Sequence, residues 1–132
     1  MNYLNTMNTY SPLAGRLLMS IIFLMAGISK ITGYAGTEAY MASAGVPGLL
    51  LPLVIALEIL GAVALIIGYR TRLAAFLLAG FTLVSALLFH NMFADPSQSI
   101  MFMKNLAMAG GLLLLVANGP GVVSVDEGMP KK

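Results

Sequence analysis

Apolar residues run along this chain in four long blocks, separated by short stretches rich in charges, glycine and proline. The blocks cover about 12–31, 49–69, 73–93 and 97–118, each close to the roughly 20 residues a helix needs to cross about 30 Å of hydrocarbon. Ser11 and Pro12 predict the start of the first, because serine can cap the orphan N–H groups and proline needs no donor in a first turn. Pro52 lies in the opening turn of the second, which Arg70, Thr71 and Arg72 interrupt. Asp95-Pro96 stops the third, and Asn118-Gly119-Pro120-Gly121 closes the fourth. The pattern predicts an all-α integral membrane four-helix bundle formed by the whole of 1–132 as one domain.

The stretch GYAGTEAYMASAGVPG, between the first two blocks, is too short and too mixed to span. Tyr34, Tyr40 and Met41 among small residues suit a short interfacial helix over about 34–47, with its rings at headgroup depth and Glu38 facing water. Such a segment would be either a plain surface-lying connection, as loops usually are, or a lid over that half of the bundle.

The 3.6-residue period sorts the helix faces. Arg16, Phe23, Gly27 and Lys30 share a face of the first helix, and Val54, Glu58, Gly61, Leu65 and Gly68 share one of the second. The third aligns Ala79, Ala86 and His90, and the fourth Lys104, Gly111 and Asn118. Polar residues fall beside small ones, and small residues are what let membrane helices approach closely, so these stripes are expected to face inward.

Composition agrees: 59% of the residues are hydrophobic and 9% are charged, against about 25% charged in a soluble domain. The first eleven residues carry no Lys or Arg, which argues against a cleaved signal peptide. Arg70 and Arg72 in a short connection place that connection in the cytoplasm, and Arg16, Lys131 and Lys132 agree. Both termini are then expected to be cytoplasmic, in the inner membrane of a bacterium.

With that topology Glu58 sits about 14 Å into the second span, near the midplane. Lys30, His90, Asn91, Lys104 and Asn105 all fall in the outer half, so an outer-half polar pocket is expected with Glu58 at its floor. An unpaired charge at that depth costs about 2.5–3.5 kcal/mol on insertion scales, so Glu58 needs a partner, and Lys30, Lys104 or Arg16 from below are the candidates. Two roles remain open for it. One is a structural ion pair that fixes which helices meet; the other is a proton acceptor, with His90 passing protons to the outside.

Several chemistries are excluded. The chain has no cysteine and a single histidine, too few for a zinc, haem or copper centre or for a dithiol relay. There is no nucleophile with an evident base, no phosphate-cradling loop and no basic nucleic-acid surface.

The segments GRLLMSIIFLMAGISKITGYAGTEAYMASAGVP, LPLVIALEILGAVALIIGYRTRLAA, LLFHNMF and MFMKNLAMAGGLLLLVANGPG, in this order, resemble the DoxX family of small four-helix membrane proteins over 15–126. The resemblance implies recurrent polar positions at Arg16, Lys30, Glu58, Arg72, His90, Lys104 and Asn105. Some relatives resemble the small membrane subunit of a thiosulfate:quinone oxidoreductase, and others are tied to membrane redox and thiol stress. A quinone-like molecule or other small amphiphile is therefore the expected ligand, in a pocket of Arg16, Lys30, Glu58, His90, Lys104 and Asn105, with Glu58 and His90 handling protons. Other functions fit too: a scaffold holding a soluble oxidoreductase at the bilayer, or a small permease or efflux component, for which a homo-oligomer would supply the missing symmetry.

Overall fold

A computed structural model describes residues 3–90 and 94–128. Asn91, the expected end of the third span at Phe93, and Lys131 and Lys132 lie outside the described residues. The elements are α1 (Tyr3–Thr32), α2 (Tyr34–Ser43), a 3₁₀ turn (Gly48–Leu50), α3 (Leu51–Ile67), α4 (Thr71–Phe89), α5 (Pro96–Asn118) and a last turn α6 (Val125–Gly128). Four segments are long and apolar enough to span a bilayer: Asn5–Thr32, Gly48–Ile67, Thr71–Phe89 and Pro96–Asn118. No strand occurs among the described residues. An even number of crossings puts both ends of the chain on one side, here called the terminal end; α2 lies at the other.

The distribution of side chains is the reverse of a water-soluble core. Leu18, Leu53, Leu60 and Phe76 are more than half exposed, while the centre is built from Ala62, Ala75, Ala79, Phe23, Leu65, Leu78 and Leu112. Arg16, Ser20, Glu58, Thr71 and Thr82 are buried with them. Lipid is as apolar as leucine, so burying leucine gains nothing in a membrane; close contact between small residues and the pairing of polar groups decide which faces meet.

The helices associate as two pairs, α1 with α3 and α4 with α5. The pairs are joined chiefly by α3 against α4 at the terminal end, where Gly61 faces Leu78; a Cβ at Gly61 would lie 2.9 Å from Leu78 Cδ1. Toward the α2 end α3 and α4 part. α1 and α5 touch at few points, one of them Met19 against Gly111. The result is a clamshell hinged where α3 meets α4, with the pairs parted toward the α2 end and along the seam between α1 and α5.

Two details differ from expectation. α1 does not begin at Ser11-Pro12 but runs from Tyr3, with Pro12 inside it. Proline removes one backbone bond there, a defect that neighbouring groups can absorb in a membrane helix, and Pro12 packs against Gly121. Asp95 does more than end a span: it caps α5, accepting a bond from Ser97 N at 3.0 Å.

The terminal end is locked by a residue the sequence pattern did not single out. Asp126 accepts bonds from Arg70 N at 2.7 Å and Thr71 N at 2.9 Å, and its own N–H donates to Gly68 O at 2.9 Å. It is thus an N-terminal cap for α4 supplied from 55 residues away. The bonds also hold Arg70 at φ 47°, a left-handed conformation that non-glycine residues avoid. Burial pushes the Asp126 carboxyl up, but the N–H groups of Thr71 and Arg70 and the charge of Arg16 outweigh it and hold the group below its ordinary value. A carboxyl depressed by folding stabilises the fold above its unfolded pKa, about 3.9, and that contribution disappears as pH falls through the lower folded value. Asp126→Ala is expected to cost about 0.5–2 kcal/mol, the usual range for a lost cap. Melting of the detergent-solubilised protein followed by circular dichroism should show a smaller loss between pH 5 and pH 3 in the variant than in the parent.

Candidate functional site

A cavity of about 450 Å³ lies between the two helix pairs toward the α2 end. Its walls are mostly apolar, with Phe23 and Ala26 on α1, Val54 on α3, Phe81 and Leu88 on α4, and Met108 on α5. The polar side chains in it are Lys30, Glu58, Thr82, Ser85, His90 and Asn105, with Thr37 and Tyr40 from α2.

Glu58 arrives there because α3 buries the face that carries Leu51, Glu58, Gly61, Ala62 and Leu65. Lys30 comes from the last turn of α1, where a cation also complements the carbonyl end of the helix. Its Nζ meets Glu58 Oε1 at 2.7 Å, with Glu58 3% exposed and Lys30 26% exposed. The pair is therefore dry on the acid side and open to the cavity mouth on the amine side. Across the cavity Asn105 Nδ2 donates to Thr82 O at 3.2 Å, tying α5 to α4. The Thr82 hydroxyl is buried and has no hydrogen-bond partner among the described residues. A buried hydroxyl left unpaired is costly, and such groups in a cavity wall are available to whatever enters.

At the mouth, His90 ends α4 and its Nδ1 lies 3.0 Å from Gln98 Oε1. α2 forms the roof. Met41 is buried beneath it, and Tyr40 stacks on Phe89 with ring centroids 5.1 Å apart, so the short helix clasps the C-terminal end of α4. Glu38 is half-buried against Gly48 instead of standing free in water.

Four of the six expected pocket residues, Lys30, Glu58, His90 and Asn105, line this cavity. Two do not. Arg16 is fully buried but at the terminal end: its Nη2 donates to Val123 O at 2.6 Å, and its guanidinium packs on Gly68, ten residues and about 15 Å of helix below Glu58. Gly68 has φ 72°, and a side chain there would collide with Arg16 and Ser124, so glycine is required twice over. Lys104 points outward and is exposed. The expected inward stripe of Lys104, Gly111 and Asn118 is displaced by one residue: α5 turns Asn105, Ala109 and Leu112 to the core, while Asn118 is exposed. A lysine has a stem long enough to face lipid and carry its ammonium to the headgroups, so its charge did not mark the inner face. Thr82 and Asp126 were missed because a single threonine or a tail aspartate carries no periodic signal. No group of three or more His, Cys, Asp or Glu able to hold a metal occurs among the described residues.

The comparisons with known proteins agree with this architecture. Residues 11–91 match the DoxX family. The chain is 54% identical over 120 residues to the inner membrane protein YqjF of Escherichia coli (strain K12), covering 91% of this chain and 92% of the relative. It is 36% identical over 122 residues to the inner membrane protein YphA of the same organism, covering 87% of each. A third relative, named "Putative oxidoreductase CatD", from Bacillus subtilis (strain 168), is 34% identical over 73 residues, 55% of this chain and 54% of the relative. No solved structure matches. A chain with four bilayer-spanning helices and this degree of likeness over nearly its whole length is a multi-pass inner membrane protein, and it belongs to the DoxX family.

Proposed function

We propose that this protein binds the ring of a quinone-like amphiphile in the cavity between its helix pairs and serves membrane redox chemistry there. The observation that carries the reading is the combination of a Lys30–Glu58 pair whose acid is buried and an unpartnered Thr82 hydroxyl in a mostly apolar cavity of about 450 Å³. Small-molecule sites have this composition: apolar walls with a few fixed polar groups. A quinol ring has two oxygens that need partners and releases two protons when its two electrons leave. Thr82 and Lys30 suit the oxygens, Glu58 suits proton acceptance, and His90 at the mouth suits exchange with the aqueous side. The electrons need an acceptor outside the chain, which has no cysteine to carry them. The relative CatD, named for an oxidoreductase role, is in keeping with this. The positive charges of Arg70 and Arg72 in the short α3–α4 connection favour a cytoplasmic terminal end, leaving the cavity in the outer half of the bilayer.

The test is equilibrium binding of a short-chain quinone to protein in nanodiscs. Thr82→Val keeps the shape and removes one hydroxyl, so it should leave stability unchanged or slightly raised while weakening binding by about 0.5–1.5 kcal/mol, up to roughly tenfold. Glu58→Gln should weaken binding as well. No binding to the parent, or binding indifferent to both changes, contradicts the proposal.

A second reading rests on the terminal end, where exposed Arg70 and Arg72 sit on a turn held rigid by Asp126. Such a surface suits docking of a soluble oxidoreductase that would accept the electrons. Co-purification lost on Arg70→Ala and Arg72→Ala but kept in Glu58→Gln would favour it.

A further inference from the structure

The redox reading leaves a second cavity unused. It has about 460 Å³ and lies in the seam between α1 and α5 at the terminal end, floored by Gly15, Met19, Gly111 and Leu115 and bounded by Ser11 and Asn118. We propose that this groove receives the long apolar chain of the amphiphile whose ring occupies the first cavity; the inference rests on that reading.

Three observations lead here. The two cavities follow one another along the same seam: α1 gives Ile22 and Ala26 to the upper one and Met19 and Gly15 to the lower, while α5 gives Asn105 and Met108 to the upper and Gly111 and Leu115 to the lower. Less than one helical turn separates them on either helix. The seam is also the weakest contact between neighbouring spans, and Ile22 and Met101, 47% and 44% exposed, flank its opening to lipid. Finally, the side chain that divides the cavities is Met19, lying against Gly111, where a Cβ would come within 2.6 Å of its Cε. Methionine is unbranched and adapts its shape easily, so it can turn aside for a chain without moving a helix.

The groove's course favours its occupant. From Met7 to Met19 it extends along about 18 Å of helix, with mainly apolar walls of Pro12, Met19, Leu114 and Leu115. A hydrocarbon chain continuing down the seam from the first cavity would follow that course. Because lipid is equally apolar, the groove supplies no hydrophobic driving force; it orients the molecule by packing, ring toward Glu58 and chain toward the terminal end.

Gly15 makes the test clean, since a Cβ there meets nothing within 4 Å. Gly15→Leu projects a bulky side chain into the groove from a position with open space at its Cβ, and Gly15→Ala, too small to fill it, is the control. The probes are a quinone carrying a photoreactive diazirine at the end of a long chain and a tailless quinone. In the parent and in Gly15→Ala the diazirine should label segments 7–19 and 111–121; in Gly15→Leu that label should be lost while affinity for the tailless quinone is unchanged. Label that persists in Gly15→Leu, or that falls only on other lipid-facing segments, overturns the assignment. So does a parent dimer that Gly15→Leu converts to monomer without moving the label, since a second copy would then fill the seam. Failure of the tailless quinone to bind the parent removes the cavity reading instead, and the groove assignment with it.

Discussion

Replacing Lys30 with methionine is expected to cost about 3–5 kcal/mol of bundle stability, because it strands a nearly fully buried carboxylate without its cation. The Lys30 Nζ to Glu58 Oε1 distance of 2.7 Å is the sole ion-pair contact between charged side chains among the described residues. It links α1 to α3 at the depth where neither lipid nor packed side chains can solvate a charge. Removing both charges should behave differently. Lys30→Met combined with Glu58→Leu leaves nothing to solvate and is expected to recover most of the loss, since buried pairs are often no better than apolar residues of similar volume. The cost belongs to a broken pair, and the pair itself adds little. Thermal or denaturant unfolding in detergent, read by circular dichroism, separates the outcomes. Equal destabilisation by the single and double changes would mean the acid is solvated in some other way. Retention of an ion pair with so little net stabilisation is consistent with a role in the cavity, which the double variant should lose.

The second large effect is steric. Gly61→Val places a branched side chain where an added Cβ already stands 2.9 Å from Leu78 Cδ1 and 3.0 Å from its Cγ. Leu78 is itself completely buried, so it has no free direction in which to yield. Overpacking of this kind costs about 1–3 kcal/mol, and here it acts on the joint between the two helix pairs. Truncating the neighbour makes room: Gly61→Val with Leu78→Ala should be more stable than Gly61→Val alone, and a double-mutant cycle measures the coupling. A purely additive result would show that α3 and α4 do not meet through these residues. By contrast, the Asp126 cap stands at the solvated end of the bundle and its loss is expected to be the smallest of the three.

Much of the architecture was legible because a bilayer imposes so few solutions. Blocks of about 20 apolar residues, the position of Glu58 on a face with Gly61 and Leu65, and the buried stripe of Ala79 and Ala86 all follow from length and period. The inward Lys30 was readable as well, since Gly27 one turn earlier opens that face. Other features have no periodic expression. Lys104 and Asn105 are adjacent, and only packing decides that the amide turns inward while the lysine reaches the surface along its stem. Arg16 shares a face with Lys30, yet Gly68, Val123 and Asp126, all distant in the chain, gather around it at the opposite end. Pro12 reads as a start signal but is carried inside a longer helix. Asp126 caps a helix from a tail that pattern reading treats as leftover. The division of labour is physical: period and length report what each helix must bury, whereas long-range capping and side-chain reach depend on where helices end up.

The central claim is that the space beside Glu58 holds a small amphiphile in the membrane. Native mass spectrometry of protein released gently from its own membrane tests this most directly, comparing the parent with Ala26→Phe, which fills the cavity from α1. The parent should carry a bound molecule of amphiphile mass that Ala26→Phe lacks while both keep the same helical content. A bare parent, or an adduct held equally well with the cavity filled, would contradict the account.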